Sequence, residues 1–270
     1  MTAPFLVVGA GPTGLGCAAE LTAARPVELI DRIPVPGGEA GWSAPEIIAL
    51  AANARRRGVR FRLGNTALRW APGRLLVAGP GKIEWIPGER LFYAGGLRPA
   101  TAADLLITGD RPAGVLPATV AHHLLAAQNR LWRRLAVIGD GPWARPVAVR
   151  AHAGGTVIIA ITPGCDAPDW ADEAITQVTQ IAITGRDRVQ AVRARTKLQW
   201  TETACDAVVL AASPRPNRNI SGALAEDSPG VTFIQPLAPA SVIERSEAGR
   251  SAACRWIAAN TGKTTDRSGE

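Results

Sequence analysis

The chain has 270 residues, 47% of them hydrophobic, enough for one large domain or two modest ones with buried cores. Its formal net charge is +7, with arginines clustered at Arg55-Arg56-Arg57 and at Arg130, Arg133 and Arg134; no aromatic-interleaved basic motif or helix-turn-helix pattern accompanies them, so they read as solvated helix ends and partner-facing patches, not as a nucleic-acid surface. No apolar run approaches the ~20 residues that span a bilayer, and Met1-Thr2-Ala3-Pro4 carries no basic n-region, so the expectation is a cytoplasmic protein without signal peptide or transmembrane segment.

Phe5-Leu-Val-Val8 is a short, fully apolar strand. Thr13 to Ala24 is rich in alanine and leucine and reads as a helix. Val27-Glu-Leu-Ile30 is a second strand, ending at Asp31. Pro34 to Gly41, with Pro36-Gly37-Gly38, is a loop, and Ala44 to Arg57 a helix closed by Gly58. Val59 to Leu63 alternates as a strand. Residues 66–93 carry short strand-like pieces punctuated by Gly and Pro, as in a β-meander. Asp104-Leu-Leu-Ile107 reads as a buried strand.

A second strand–turn–helix begins at Leu135-Ala-Val-Ile138, turns through Gly139 to Gly141 and continues as a helix from Pro142 to Ala153. Thr156 to Ile161 is its next strand. Gln180 to Arg193 is a hairpin around Gly185-Arg-Asp-Arg188, and Asp206 to Ala211 is a buried strand. Glu244 to Ala259 is a helix whose surface carries Ala248, Gly249, Ser251, Ala252 and Ala253, small enough for close backbone approach; residues 261–270 are polar and expected to fray. Strands and helices alternate, and two similar halves are nested together. This predicts an α/β fold of two Rossmann-like, doubly wound parallel domains. The expected division is a first, discontinuous domain of residues 1–112 and 205–260, and a second domain of residues 113–204, each built around one of the two strand–turn–helix units.

Cys17, Cys165, Cys205 and Cys254 are far apart with no C-x-x-C, which argues against a zinc site, an iron–sulfur cluster or a redox dithiol, and for reduced thiols. His122-His123 on a helix read as structural or surface residues. Eight tryptophans stand against one tyrosine and one methionine; some suit a core and some a subunit interface.

The chemistry is concentrated in Gly9-Ala-Gly11-Pro-Thr-Gly14, which follows a strand and opens a helix. Gly9 makes the tight turn, Gly11 lets backbone approach a pyrophosphate, and Gly14 lets helix pack on strand. The helix N-terminus then offers free N–H groups and partial positive charge. Asp31, at the end of the next strand, can accept hydrogen bonds from ribose hydroxyls and would repel a 2′-phosphate, which favours FAD or NAD over NADP. The second turn, Gly139-Asp-Gly141-Pro-Trp-Ala144, is degraded. Asp140 places an acid beside the pyrophosphate position, Pro142, Trp143 and Pro146 crowd the helix start, and the strand ending at Thr162-Pro163 has no charged residue to read a ribose. It reads as a βαβ unit kept for structure, with NAD(P) binding doubtful.

With both turns placed, the order of elements resembles the pyridine nucleotide–disulfide oxidoreductase superfamily. Val7 to Gly14 is similar to its FAD turn, and Asp31 with Pro36-Gly37-Gly38 to its acid-plus-Gly-Gly element. Asp104 to Gly109, with Arg111-Pro112, is similar to its Ala-Thr-Gly segment that returns the chain to the flavin domain. Leu135 to Ala144 is similar to the NAD turn and Cys205 to Pro216 to the second return strand. Val115-Leu-Pro117 and Thr119 to Gln128 lie where thioredoxin reductases carry redox cysteines, and hold none. In this the chain looks more like the flavoprotein subunits of hydrogen cyanide synthase and of dye-linked proline, hydroxyproline or opine dehydrogenases. That resemblance implies an FAD-binding subunit of a heteromeric amine or amino-acid dehydrogenase. It would work in electron transfer beside an amino-acid-oxidase-like flavoprotein subunit and a small iron–sulfur component. The family's C-terminal Gly-Asp, which binds the flavin ribityl chain, is replaced by Val231-Thr-Phe-Ile-Gln-Pro236. Two other readings stay open: a stand-alone NAD(P)H-dependent FAD oxidoreductase, and a non-catalytic nucleotide-binding scaffold.

The candidate cofactor contacts are Gly9, Gly11, Pro12, Thr13, Gly14, Asp31, Arg32, Gly38, Ala67, Thr108 and Gly109. A second nucleotide would meet Gly139, Gly141 and Ala144. No residue is assigned a catalytic or metal-binding role; the flavin carries the chemistry.

Overall fold

The structure, a computed structural model, describes residues 3–41, 43–127, 132–217, 229–235 and 240–260. Trp42, Gln128, Arg130, Pro236 and the expected tail 261–270 lie outside the described residues. The chain divides into two compact units, residues 1–97 with 216–270 and residues 98–215. Among the described residues, no helix is long and apolar enough to cross a membrane.

The first unit begins as the sequence dictates. β1 (Phe5–Val8) leads directly into α1 (Pro12–Leu21), which has proline in its first turn, where a missing N–H costs nothing. β2 (Val27–Asp31), α2 (Pro45–Arg56) and β3 (Arg60–Leu63) follow. β4 (Thr66–Ala71), β5 (Arg74–Gly79) and β6 (Lys82–Pro87) form a three-stranded antiparallel sheet. β7 (Arg90–Tyr93) corrects the meander expected over residues 66–93. It leaves the antiparallel sheet and pairs in parallel with β1, Phe5 opposite Arg90 and Val8 opposite Tyr93. The first sheet is therefore five parallel strands in the order Val231–Phe233, β7, β1, β2, β3.

The central strand β1 is apolar throughout because both its faces are covered, whereas the edge strand β3, Arg-Phe-Arg-Leu, is only partly buried. Successive residues of β1 point to opposite sides. Phe5 and Val7 join Leu15, Leu21, Leu29 and Phe92 under the helices, whereas Leu6 joins Ile30, Trp70, Leu75 and Tyr93 under the antiparallel sheet. Each fully buried Leu or Phe contributes ~1.5–3 kcal/mol. Trp256 closes the helical layer, edge-on to Phe5 at 4.9 Å and to Phe92 at 5.5 Å.

The helix Val242–Asn260 lies on α1 at backbone contact. A Cβ on Gly249 would overlap the Thr13 carbonyl, and one on Gly16 would overlap the Ser246 carbonyl. The small residues expected to permit close approach do so, at Gly249 and Ala253, with Ser246 added and Ser251 left exposed. Ser241 and Glu244 cap this helix reciprocally, the Ser241 N–H donating to Glu244 Oε2 at 2.7 Å and the Glu244 N–H to Ser241 Oγ at 3.2 Å.

The second unit repeats the plan. Its parallel sheet runs Val115–Pro117, Ala207–Leu210, Arg134–Ile138, Val157–Ile161, Glu173–Ile175. The glycine turn follows the central strand, the next strand lies on one side and a late-returning strand on the other, as in the first sheet. Ala144–Ala153 and Ala118–Ala126 are its helices. Gln180–Thr184, Ala191–Arg195 and Trp200–Ala204 form its antiparallel sheet, with Thr108–Gly109 added at the edge beside Gln180–Thr184. No helix separates Val157–Ile161 from Glu173–Ile175, the place that α2 fills in the first half.

Two expectations need correction. The division falls at 97/98 and 215/216, not at 112/113 and 204/205, because Ala207–Leu210 pairs with Arg134–Ile138 and belongs to the second sheet. Asp104–Ile107 is a turn, not a strand. The Asp104 carboxylate accepts from the Thr101 N–H at 2.8 Å and the Thr101 hydroxyl at 2.7 Å, and grips the Arg98 guanidinium through both oxygens at 2.6 and 2.9 Å. This local capping outweighs the strand preference of three apolar residues.

Candidate functional site

The first glycine turn is built by three close approaches and one opening. Gly9, at φ +109°, donates its N–H to the Ile30 carbonyl at 2.8 Å, which fixes the turn against β2. A Cβ on Gly9 would overlap the Ala94 carbonyl, and one on Gly14 would overlap the Gly9 carbonyl. Gly11 differs: its backbone is ordinary (φ −73°) and, among the described residues, nothing lies within 4 Å of where a Cβ would stand. α1 starts at the very next residue. Leu15 N–H reaches the Gly11 carbonyl at 2.9 Å, but the amides of Gly11, Thr13 and Gly14 have no hydrogen-bond partner among the described residues. Three unspent N–H groups at a helix N-terminus, with the positive end of its dipole, form a seat for an anion.

Asp31 stands beside this seat. Its Oδ2 accepts from the Ala10 N–H at 2.6 Å and its Oδ1 from the Ile33 N–H at 2.8 Å. A carboxylate offers about four lone-pair directions, so the two amides orient it and leave acceptor capacity for hydroxyls. The Pro36-Gly37-Gly38 loop folds back over the turn: Gly37 N–H donates to the Ala10 carbonyl at 2.8 Å, and a Cβ on Gly38 would stand 3.4 Å from Gly11 Cα. Arg32, exposed, adds a cation on the same rim.

β7 delivers a segment that sequence reasoning missed, Ala94-Gly95-Gly96. Ala94 N–H donates to the Val8 carbonyl at 2.8 Å, which sets it against Gly9. Asn217 fastens it: its side-chain amide donates to the Gly95 carbonyl at 2.6 Å and its N–H to the Gly96 carbonyl at 2.9 Å. A side chain on Gly95 would overlap the Tyr93 hydroxyl. Tyr93 stacks on Phe233 at 5.8 Å, and burial pushes its hydroxyl above the usual tyrosine range, partly countered by the Arg32 charge. The signal was present in Leu91-Phe-Tyr93, an apolar triplet running into two glycines, a mark of a strand entering a close backbone approach.

Gly9, Gly11, Pro12, Thr13, Gly14, Asp31 and Gly38 thus come together within the first unit. Ala67 lies in β4, half-buried against the core under the antiparallel sheet. Thr108 and Gly109 belong to the second unit, where a Cβ on Gly109 would overlap the Ile183 carbonyl; the glycine there serves strand packing. The strand that returns the chain to the first sheet is β7, so Asp104–Gly109 does not have that place.

The second turn keeps the plan and closes the opening. Gly139, at φ +96°, donates to the Ile161 carbonyl at 2.9 Å, as Gly9 does to Ile30. Gly141, at the place of Gly11, gives its N–H to the Ala211 carbonyl at 2.7 Å, and a Cβ there would lie 2.5 Å from the same oxygen. The helix starts only at Ala144, whose N–H turns back to the Gly141 carbonyl at 2.9 Å. Asp140 is exposed beside the turn. Thr162, at the place of Asp31, is buried and its hydroxyl finds no partner.

The four cysteines are free thiols, Cys17 and Cys205 buried, Cys165 and Cys254 exposed; burial pushes the Cys205 thiol up to about 11. His122 sits 5.1 Å from the Trp143 ring, half-buried at the surface of its helix.

Residues 7–73 match the family of NAD(P)-binding Rossmann-like domains. No curated protein sequence matches the chain. Among solved structures, L-proline dehydrogenase from P. horikoshii is 17% identical with a TM-score of 0.66, over 97% of this chain and 56% of that one. Thioredoxin reductase from Lactococcus lactis is 16% identical with a TM-score of 0.69, over 94% of this chain and 97% of that one. The water-forming NADH oxidase from Lactobacillus brevis is 14% identical with a TM-score of 0.68, over 95% and 70%. At these identities the likeness is one of fold alone. This chain spans little more than half the length of the proline dehydrogenase chain.

Proposed function

We propose that this chain is an oxidoreductase subunit that holds FAD, or the adenine nucleotide half of it, at the first glycine turn. One observation carries the reading: the Gly11 amide is unspent and unobstructed beside an oriented Asp31 carboxylate, whereas the same place in the second half is closed. An ADP half fits these residues. The amides of Gly11, Thr13 and Gly14 would take the diphosphate, and Asp31 the ribose hydroxyls. A bound flavin would supply the electron-accepting ring; this chain's residues hold, orient and shield it. The ring end is less furnished, since Ile234 and Gln235, which follow the strand Val231–Phe233, carry no acid for a ribityl chain.

Within that reading the chain serves a heteromeric amine or amino-acid dehydrogenase and passes electrons from a partner flavoprotein subunit. The fold likeness to a proline dehydrogenase chain, the absence of a cysteine pair and the spent second turn support this over a stand-alone NAD(P)H oxidoreductase. The test is purification of the full chain, alone and with co-purifying partners, followed by denaturation and chromatographic identification of the released nucleotide. FAD in the extract, with no bleaching of the bound flavin by NADH, is the expected outcome. Rapid bleaching by NADH would favour the stand-alone reductase, and a colourless protein releasing ADP or ATP the scaffold. An extract without any adenine nucleotide overturns the reading.

A further inference from the structure

The second unit contains a cavity of about 680 Å³ at the C-terminal ends of Arg134–Ile138 and Val157–Ile161, within the range of small-molecule sites. Crevices at this end of a parallel sheet receive ligands. Here, however, two of the three amides that are left over at the first turn are spent. Gly141 and Ala144, at the places of Gly11 and Gly14, donate their amides to backbone carbonyls.

The rest of the lining has another character. Ile138, Ile161, Val178, Ile181 and Trp200 supply apolar and aromatic wall. Leu106 completes it in an unusual way: it holds φ +53°, a left-handed backbone that leucine avoids, and the residue is 83% exposed. The turn made by Thr101, Asp104 and Arg98 keeps it there. A strained backbone that presents an apolar side chain at a cavity wall is a feature of ligand sites. One cation lines the cavity, Arg215, exposed and without an ion pair among the described residues.

We infer that this cavity binds a flat, apolar ring compound carrying a single anionic group, its rings against Leu106, Ile181 and Trp200 and its anion on Arg215, and that it does not bind a dinucleotide. This site is independent of the nucleotide read at the first turn. Isothermal titration calorimetry on the full chain with 2-naphthoate and with its uncharged analogue 2-naphthamide tests it. Naphthoate is expected to bind at one site, at least tenfold more tightly than naphthamide. R215Q, on an exposed residue, removes that preference without changing the melting temperature, and L106S weakens both compounds several-fold. Saturating NADH or ADP-ribose leaves the naphthoate isotherm unchanged. Failure of naphthoate to bind, equal affinity for the two compounds, an unchanged preference in R215Q, or displacement by NADH each overturns the inference.

Discussion

The two glycine turns of this molecule share their frame and differ in what they leave free. Gly9 and Gly139 both take a positive φ and both donate to the adjacent strand, at Ile30 and Ile161. Gly11 then leaves its amide unspent, whereas Gly141 gives its amide to Ala211. Asp31 is oriented by two amides; Thr162, in the same place, has a buried hydroxyl with no partner. The lesson is that a glycine pattern specifies a backbone path, and the return strand packed beside it decides whether that path is open to a ligand.

Exchange at matched positions sharpens or breaks this comparison. The largest effect belongs to Gly14, where a Cβ would overlap the Gly9 carbonyl. G14A is expected to cost on the order of 4 kcal/mol or more, read as collapse of the denaturation midpoint. A144G at the matched position costs about 1 kcal/mol, a helix-propensity loss. Next comes the crossed pair at the second glycine. G141V is expected to destabilise by about 2–4 kcal/mol through overlap with Ala211. G11V, in open space, stays within about 0.5 kcal/mol of the parent in stability and weakens ADP or FAD binding by roughly 100-fold, about 2.7 kcal/mol. If G11V unfolds the chain and leaves nucleotide binding intact when folded, the two turns are equivalent after all.

The third exchange is at the strand ends. D31A removes the acceptor of two amides and should lose about 1–2 kcal/mol along with nucleotide affinity. T162V removes an unsatisfied buried hydroxyl and should be neutral or stabilising by up to about 1 kcal/mol. The smallest effect is in pH. The Arg98 guanidinium and the Thr101 donors hold the Asp104 carboxyl well below the usual carboxylate range. Its folded-state pKa is depressed, so its contribution is present above the unfolded pKa of about 4 and is lost as pH falls through the folded value. Acid titration should therefore loosen the Thr101–Ile107 turn in the parent and not in D104N, followed by amide exchange at Leu106 and Ile107.

How much of this was legible in the sequence follows from how local each feature is. β1, α1, β2 and the tight packing of Gly9 and Gly14 are written in adjacent residues, and Asp31 falls at the end of the next strand; this is local structure, legible from the sequence. The departure of Arg90–Tyr93 from the antiparallel sheet was not, because it is decided by pairing with Phe5–Val8, far away in the chain. The same holds for Gly141, whose closure depends on Ala211 and has no signature beside the turn. Leu105-Leu106-Ile107 failed for another reason: three apolar residues are too few for periodicity to tell strand from turn, and Asp104 with Thr101 decided it.

The contact of Gly249 with Thr13 and of Gly16 with Ser246 has a consequence for biosynthesis. The ribosome delivers the first glycine turn first and the elements that brace it, Val231–Phe233 and Val242–Asn260, after everything else described. Residues 98–215, with all five strands of their own sheet in hand, are complete while the first unit still waits. Over that interval Phe5, Leu15 and Cys17 have no Trp256 or Ala253 to cover them. A nascent chain arrested just after Arg215 would carry a finished second unit and an unfinished first one, and that is the stage at which a holding chaperone would find its apolar target.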